Sequence, residues 1–173
     1  MKKVILVSAV AMASLGMINI ASAAHGEVQF IGAVTAKTCD LTPEVNGSVT
    51  NMVQLGTAGV NGQASAVTFK LKANPDQPDC EALAAGDTAT IGWGGQFDHQ
   101  GLGNQSGSAN GAWVKLMSVN SKTANSVITS SKASSDFAGD KIKTDGAQFE
   151  ATLNGGAAPG DYRSAAAFVV AYN

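Results

Sequence analysis

Short stretches of alternating apolar and polar residues run along the chain, separated by turn-forming residues. The clearest stretch, residues 66–72, places Val67, Phe69 and Leu71 on one face of a strand. Residues 147–153 alternate in the same way, and no long stretch has helical periodicity. Further strands are predicted at residues 28–38, 48–55 (weakly), 88–93, 112–119 and 164–173. Seven short strands in about 150 residues predict an all-β sandwich of immunoglobulin type.

The two end strands of this pattern are unusual. Residues 164–173 are apolar on both faces of the predicted strand, and the sequence ends with them. Residues 26–32 form a spare alternating strand near the other end. An apolar sheet edge invites another chain, and a chain with both an open groove and a matching strand can polymerise head to tail. The pattern therefore predicts an incomplete sandwich that a second chain completes.

Residues 1–23 have the features of a secretory signal peptide. Lys2 and Lys3 precede a mostly apolar stretch, and Ala21-Ser22-Ala23 fits the small-residue cleavage rule. A membrane anchor is the less favoured alternative, because the apolar stretch is shorter and more polar than the ~20 apolar residues of a spanning helix. Cleavage would leave residues 24–173, a length that suits one domain.

The charge balance argues against a nucleic-acid partner. The whole chain has 11 basic and 13 acidic residues, so removal of Lys2 and Lys3 leaves 9 and 13, a net charge of −4. Nucleic-acid binding would need a basic surface.

Cys39 and Cys80 are the two cysteines of the chain. An exported chain with one cysteine pair most often forms one disulfide. A metal or redox site is the alternative, but the spacing matches neither a Cys-x-x-Cys pair nor a zinc knuckle.

No recognisable catalytic chemistry is found in the sequence. The two histidines, His25 and His99, are too few for a histidine-rich metal site, and no hydrolase, metalloprotease or phosphate-loop motif occurs. Asp98 and His99 stand beside many serines, but neighbours in sequence do not make a catalytic triad. We therefore expect no catalytic, cofactor or metal site.

Two long polar segments, residues 92–111 and 118–146, are either mobile surface loops, with a short strand around Ser126 to Thr129, or a surface that faces a ligand. The lysines of this part of the chain could bind an anionic sugar or be ordinary solvated charges; they are Lys115, Lys122, Lys132, Lys141 and Lys143. Trp93 and Trp113 leave a similar choice between stacking on a sugar and packing in the core.

Taken together, these features resemble the subunits of chaperone–usher fimbriae of Gram-negative bacteria. A short extension leads into residues 28–32, Cys39 closes the first predicted strand, and Cys80 follows the next core strand. Gly160 is fourteenth from the end and Tyr172 is penultimate, which is the family's C-terminal signature. Residues 38–47 and 69–72 look most similar to major subunits of host-glycolipid-binding fimbriae from enterotoxigenic enterobacteria.

The resemblance implies an immunoglobulin-like domain (residues 33–173) that lacks its seventh strand and is preceded by a donor-strand extension (residues 24–32). Gly26, Val28 and Phe30 of the extension would enter the groove of a neighbouring identical subunit. The residues implied for the receiving strand, which a periplasmic chaperone covers first, are Gly160, Phe168, Val170, Tyr172 and Asn173. The Asn173 carboxylate would meet basic residues of that chaperone.

The implied function is that of a structural subunit, more specifically a major subunit, of a surface fimbria. Such a subunit passes through the periplasm, is assembled at an outer-membrane usher, and supports attachment to host cells, with a host glycolipid or glycoprotein as a further partner. The alternatives are a secreted carbohydrate-binding adhesin domain, whose main role is glycan recognition, and a non-polymeric sandwich that is complete by itself.

Overall fold

A computed structural model describes residues 31–35 and 37–173 of the chain. They contain ten strands and two short helices. In chain order these are β1 (Leu41–Val45), β2 (Ser48–Val49), β3 (Val67–Ala73), α1 (Pro78–Glu81), β4 (Thr88–Gly95), β5 (Leu102–Gly103), β6 (Trp113–Ser118), β7 (Ser126–Ile128), β8 (Ser134–Ala138), α2 (Gly139–Thr144), β9 (Ala147–Asn154) and β10 (Ala166–Tyr172).

The strands form two antiparallel sheets. The larger sheet has seven strands in the order β2-β1-β3-β9-β6-β5, with β7 also paired to β6. The smaller sheet has three strands in the order β10-β4-β8. This arrangement confirms the predicted all-β fold.

Aromatic side chains connect the two sheets. Phe69 on β3 lies opposite Phe149 on β9, and the rings stack at 5.5 Å between centroids. Trp93 on β4 meets the Phe149 ring edge-on at 5.1 Å, and Phe168 on β10 lies 5.7 Å from Trp93. Residues 66–72 and 147–153 alternate between apolar and polar because the inward residues of β3 and β9 form the core.

The first predicted strand, residues 28–38, is wrong for the part that the structure describes. Residues 31–35, 37 and 38 are not in a strand, and the ladder begins at Leu41. Side chains take the place of ladder partners here: the Thr38 amide donates to Asp79 Oδ2 at 2.8 Å, and the Asp40 amide donates to Gln77 Oε1 at 2.6 Å. Residues 28–30 lie outside the described residues.

Two further segments differ from the prediction. The weak strand at residues 48–55 is reduced to β2; the Thr50 amide adds one backbone hydrogen bond to the Pro43 carbonyl at 3.0 Å, and residues 51–55 have no ladder partner among the described residues. The polar segment 118–146 contains β7, β8 and α2, of which only a strand near Ser126–Thr129 was predicted. β8 is hard to recognise in the sequence because one of its inward residues is a serine. Ser135 and Phe137 are buried and the residue between them is exposed, as in other half-buried strands.

Candidate functional site: an open groove along the last strand

The last strand, β10, is at the edge of the smaller sheet. It pairs with β4 from Ala166 opposite Gly95 to Tyr172 opposite Ala89. Within residues 31–35 and 37–173, no strand pairs with its other side. Phe168, Val170 and Tyr172, which the sequence analysis assigned to the receiving strand, face inward.

An apolar groove lies beneath the free edge of β10. Its central part is a cavity of about 310 Å³ between the two sheets. Among its walls are Phe69, Trp93, Leu116 and Phe168. The groove continues past Tyr162 into a second cavity of about 550 Å³, and past Phe168 into a third of about 370 Å³. Hydrophobic side chains in such an open cleft remain partly exposed to water unless another chain covers them.

The opposite wall of the groove is residues 51–60. Val53 and Leu55 turn inward and pack against the core, whereas Met52 is 65% exposed and Val60 is 52% exposed. Residues 53–57 make no backbone hydrogen bond to another residue of the described chain. Among the described residues, both walls therefore present backbone groups without partners to the groove, and one inserted strand could pair with either.

Tyr172 closes one end of the groove. Its ring is buried, and its hydroxyl donates to the Cys39 carbonyl oxygen at 2.8 Å. Burial, with a smaller contribution from the Asp40 charge, raises the pKa of this phenol above its ordinary value, so the hydroxyl stays protonated and can donate. The predicted disulfide between Cys39 and Cys80 is present and ties the same region to α1.

Comparison with known proteins now gives the family. No family model matches the chain. The F107 fimbrial protein of Escherichia coli is 40% identical over 172 residues, and the alignment covers 99% of both chains. The K99 fimbrial protein of Escherichia coli is 32% identical over 171 residues, covering 88% of this chain and 89% of that protein. The chain belongs to the fimbrial proteins.

A solved structure supports the fold of this fimbrial protein. The crystal structure of the P pilus rod subunit PapA superposes with a TM-score of 0.54, covering 86% of this chain and all of that one, at 15% identity. The protein is thus a structural subunit of a fimbria with an immunoglobulin-like pilus-subunit fold. Family membership also confirms the expectation that it is not an enzyme.

The remaining predicted groove residues have distinct positions in the fimbrial protein. A Cβ atom at Gly160 would collide with the Ala109 amide and the Ser108 side chain, so only glycine fits at this point of the chain. Asn173 exchanges both backbone hydrogen bonds with Thr88 at 2.9 Å, which extends the β10–β4 pair by one residue. Gly26, Val28 and Phe30 of the donor strand lie outside the described residues.

The lysines considered for glycan contact have separate partners. Lys122 Nζ donates to Thr88 Oγ1 at 2.6 Å, Lys141 pairs with Asp145 at 3.4 Å, and Lys143 pairs with Glu81 at 3.3 Å. Lys132 lies in the turn between β7 and β8, and Lys115 is on β6. These contacts attach the lysines to different elements, and glycan binding by them stays a prediction.

Trp93 and Trp113 have different surroundings. Trp93 belongs to the aromatic cluster and lines the groove, whereas Trp113 lies on β6 beside a polar cleft formed by the segment 98–112. In the described part of the chain, no three metal-ligating side chains come together. None of the helices described there is long and apolar enough to span a membrane.

Proposed function

We propose that this fimbrial protein polymerises by donor-strand exchange, in which residues 24–32 of one copy enter the groove along β10 of the next. The observation that carries the proposal is the outer edge of β10, with which no strand of the described residues pairs, above an apolar groove. An added strand supplies main-chain hydrogen bonds along such an edge and side chains for the pockets below it.

The extension has the alternation that such an insertion needs. Gly26, Val28 and Phe30 share one face of a strand, and that face would point into the groove. Burial of a side chain as large as Phe30 contributes roughly 1.5–3 kcal/mol, so one aromatic residue accounts for a sizeable part of the binding free energy.

A subunit on its way to the surface would carry this groove uncovered. We therefore assign the covering role to a periplasmic chaperone and the exchange step to an outer-membrane usher, after export directed by residues 1–23. We expect the main-chain carboxylate of Asn173, one residue beyond β10, to contact basic residues of the chaperone. The finished fibre supports attachment to host cells.

Neighbouring alanines on β10 allow a matched test. Ala166 is half-buried and packs against the core beside the groove, whereas the side chain of Ala167 points away and is exposed. Ala166→Arg should place a charge in the groove and abolish ladders of denaturant-resistant oligomers on unheated gels. Ala167→Arg, with the same added charge, should form ladders like the unaltered protein.

A complementary pair of variants guards against misfolding as the explanation. Ala166→Arg keeps its donor strand but cannot accept one, and a variant lacking residues 24–30 accepts but cannot donate. Each alone should remain monomeric, and mixing should give a two-subunit species and nothing longer. Normal ladders from either variant alone would contradict donor-strand exchange.

A further inference from the structure

The hydrogen-bond pattern of β10 shows which backbone groups are available to an incoming strand. Asn173 and Thr88 exchange both backbone hydrogen bonds at 2.9 Å. Hydrogen-bonded and non-bonded pairs alternate along an antiparallel ladder. Residues 167, 169 and 171 therefore direct their N–H and C=O groups to β4, and residues 166, 168, 170 and 172 direct theirs to the outer edge.

This alternation continues before β10, where the chain is no longer in a regular strand. Residues 161, 163 and 165 are exposed, and residues 162 and 164 are half-buried and line the groove. The segment 161–165 therefore has the alternating burial of a strand, although β4 ends at Gly95 and provides no partner for it.

A loop replaces β4 as the partner of this segment. The loop comprises residues 104–109 and is called here the template loop. The backbone N–H of Arg163 donates to Asn104 Oδ1 at 3.0 Å, and the Arg163 carbonyl accepts from the backbone N–H of Gln105 at 2.9 Å. The Gln105 side chain pairs with both backbone groups of Ala165, at 3.2 Å and 2.8 Å.

The template loop also holds the start of the segment. The Asp161 carbonyl accepts from the Ala109 amide at 3.0 Å, and the Asp161 amide donates to Ser108 Oγ at 3.2 Å. A Cβ atom at Gly107 would overlap the Asp161 carbonyl, so the absence of a side chain there lets the two backbones approach. The inner side of residues 161, 163 and 165 is thus fully hydrogen-bonded.

The outer side of the same segment is unpaired among the residues that the structure describes. The backbone N–H and C=O groups of Tyr162, Ser164, Ala166, Phe168 and Val170 have no hydrogen-bond partner within residues 31–35 and 37–173. The next residue of this series is already occupied, because the Tyr172 amide donates to Thr35 Oγ1 at 2.8 Å. We call residues 162–170 the acceptor edge.

We propose that the template loop lengthens the acceptor edge beyond β10, so that an incoming donor strand pairs from Tyr162 to Val170 and is stopped by Thr35. The inference rests on the donor-strand exchange proposed above. Its occupant is the segment 24–32 of a second copy, which spans nine residues, as does the edge 162–170. Both are roughly 30 Å long when extended.

Hydrogen exchange of the assembled full-length protein tests this proposal at single-residue resolution. In fibres, the amides of Tyr162, Ser164, Ala166, Phe168 and Val170 should exchange on the order of 100-fold more slowly than in an unstructured chain, because all five are hydrogen-bonded to the donor strand. The double variant Gln105→Ala/Ser108→Ala should lose about tenfold or more of that protection at Tyr162 and Ser164 only.

A matched control comes from the same part of the chain. Gln100 and Ser106 are exposed, and their side chains form no hydrogen bond to another described residue. Gln100→Ala/Ser106→Ala should therefore leave protection unchanged. If the double test variant does not assemble, Gln105→Ala alone, which removes only the two contacts to Ala165, should still lower protection at Ser164.

The outcomes separate this inference from the function on which it rests. Unprotected amides at Ala166, Phe168 and Val170 in unaltered fibres would overturn donor-strand exchange itself. Protection there with free exchange at Tyr162 and Ser164 would overturn the lengthened edge alone. Full protection at Tyr162 and Ser164 in the Gln105→Ala/Ser108→Ala variant would overturn the role of the template loop.

Discussion

Ser108 stabilises the negative charge of the Asp161 carboxylate. Its carboxylate Oδ1 accepts from the Ser108 hydroxyl at 2.7 Å and from the Ser108 amide at 3.1 Å. These hydrogen bonds, the hydroxyl first, lower the pKa of Asp161 from 3.8 to about 2. The ionised carboxylate thus adds to the backbone hydrogen bonds that hold residue 161, just before the acceptor edge, against the template loop.

The resulting pH dependence has a definite sign. Because the folded-state pKa of Asp161 is depressed, its contribution to stability is fully present above the unfolded value of 3.8 and is lost as the pH falls through about 2. Ser108→Ala should raise the pKa of Asp161 toward 3.8 and weaken the dependence of stability on pH between about 4 and 2. Carboxyl chemical shifts in an NMR titration measure the pKa directly.

Ser106→Ala is the control for this titration, since its side chain makes no hydrogen bond to Asp161. It should leave the Asp161 pKa near 2. A low Asp161 pKa that persists in Ser108→Ala would mean that the carboxylate is held by other groups, and the proposed attachment through Ser108 would be wrong.

At the scale of elements, the segment before β1 is fastened by side chains instead of a ladder. Lys37 pairs with Asp87 at 2.7 Å, Thr38 donates to Asp79, and Cys39 is joined to Cys80. The Lys37–Asp87 ion pair is only partly buried and still screened by water, so by itself it contributes little, since pairs screened in this way are worth about 0–1 kcal/mol. The disulfide therefore dominates this attachment.

Removal of the disulfide should loosen the closed end of the groove. Its cysteines are 41 residues apart in sequence, for which the loss of unfolded-state entropy on cross-linking gives about 4 kcal/mol. Cys39→Ala/Cys80→Ala should lower the free energy of unfolding by roughly that amount in urea denaturation. The unaltered protein with its disulfide reduced is the control and should lose a similar amount of stability. A double variant with the same free energy of unfolding as the oxidised protein would contradict the prediction.

Strands in which apolar residues alternate with polar ones could be predicted from the sequence. Elements held in place by polar side chains could not. β3 and β9 were predicted because Phe69 and Phe149 alternate with polar residues that face water. The terminal strand and the disulfide were likewise predicted. β8 was missed because its buried Ser135 hydrogen-bonds Ser118 and so carries no apolar signal.

The template loop was beyond sequence analysis for a related reason. Residues 92–111 were predicted to be either a mobile loop or a ligand-facing surface, yet Asn104 and Gln105 hold this segment against residues 161–165, far away in sequence. Hydrogen bonds between a polar side chain and a distant backbone leave no periodic trace in a sequence. Only the arrangement of the two segments in space shows that the loop belongs to the groove.

At the scale of the whole molecule, the two tryptophans distinguish an empty groove from a filled one. Trp93 is partly exposed, lines the groove and lies 5.7 Å from Phe168, so an inserted strand would exclude water from its ring. Trp113 is on the outer face of β6, away from the aromatic cluster. Assembly should therefore change the surroundings of one indole and leave the other as it is.

Trp113→Phe and Trp93→Phe convert this difference into a measurement. In Trp113→Phe, the fluorescence of Trp93 should shift to shorter wavelength and become less accessible to iodide as subunits assemble, because the donor strand replaces water over the ring. In Trp93→Phe, the emission of Trp113 should stay constant while ladders form at the same time. A shift carried by Trp113 alone would place the contact between subunits on the outer face of the larger sheet, and the groove along β10 would then not be where the neighbouring subunit binds.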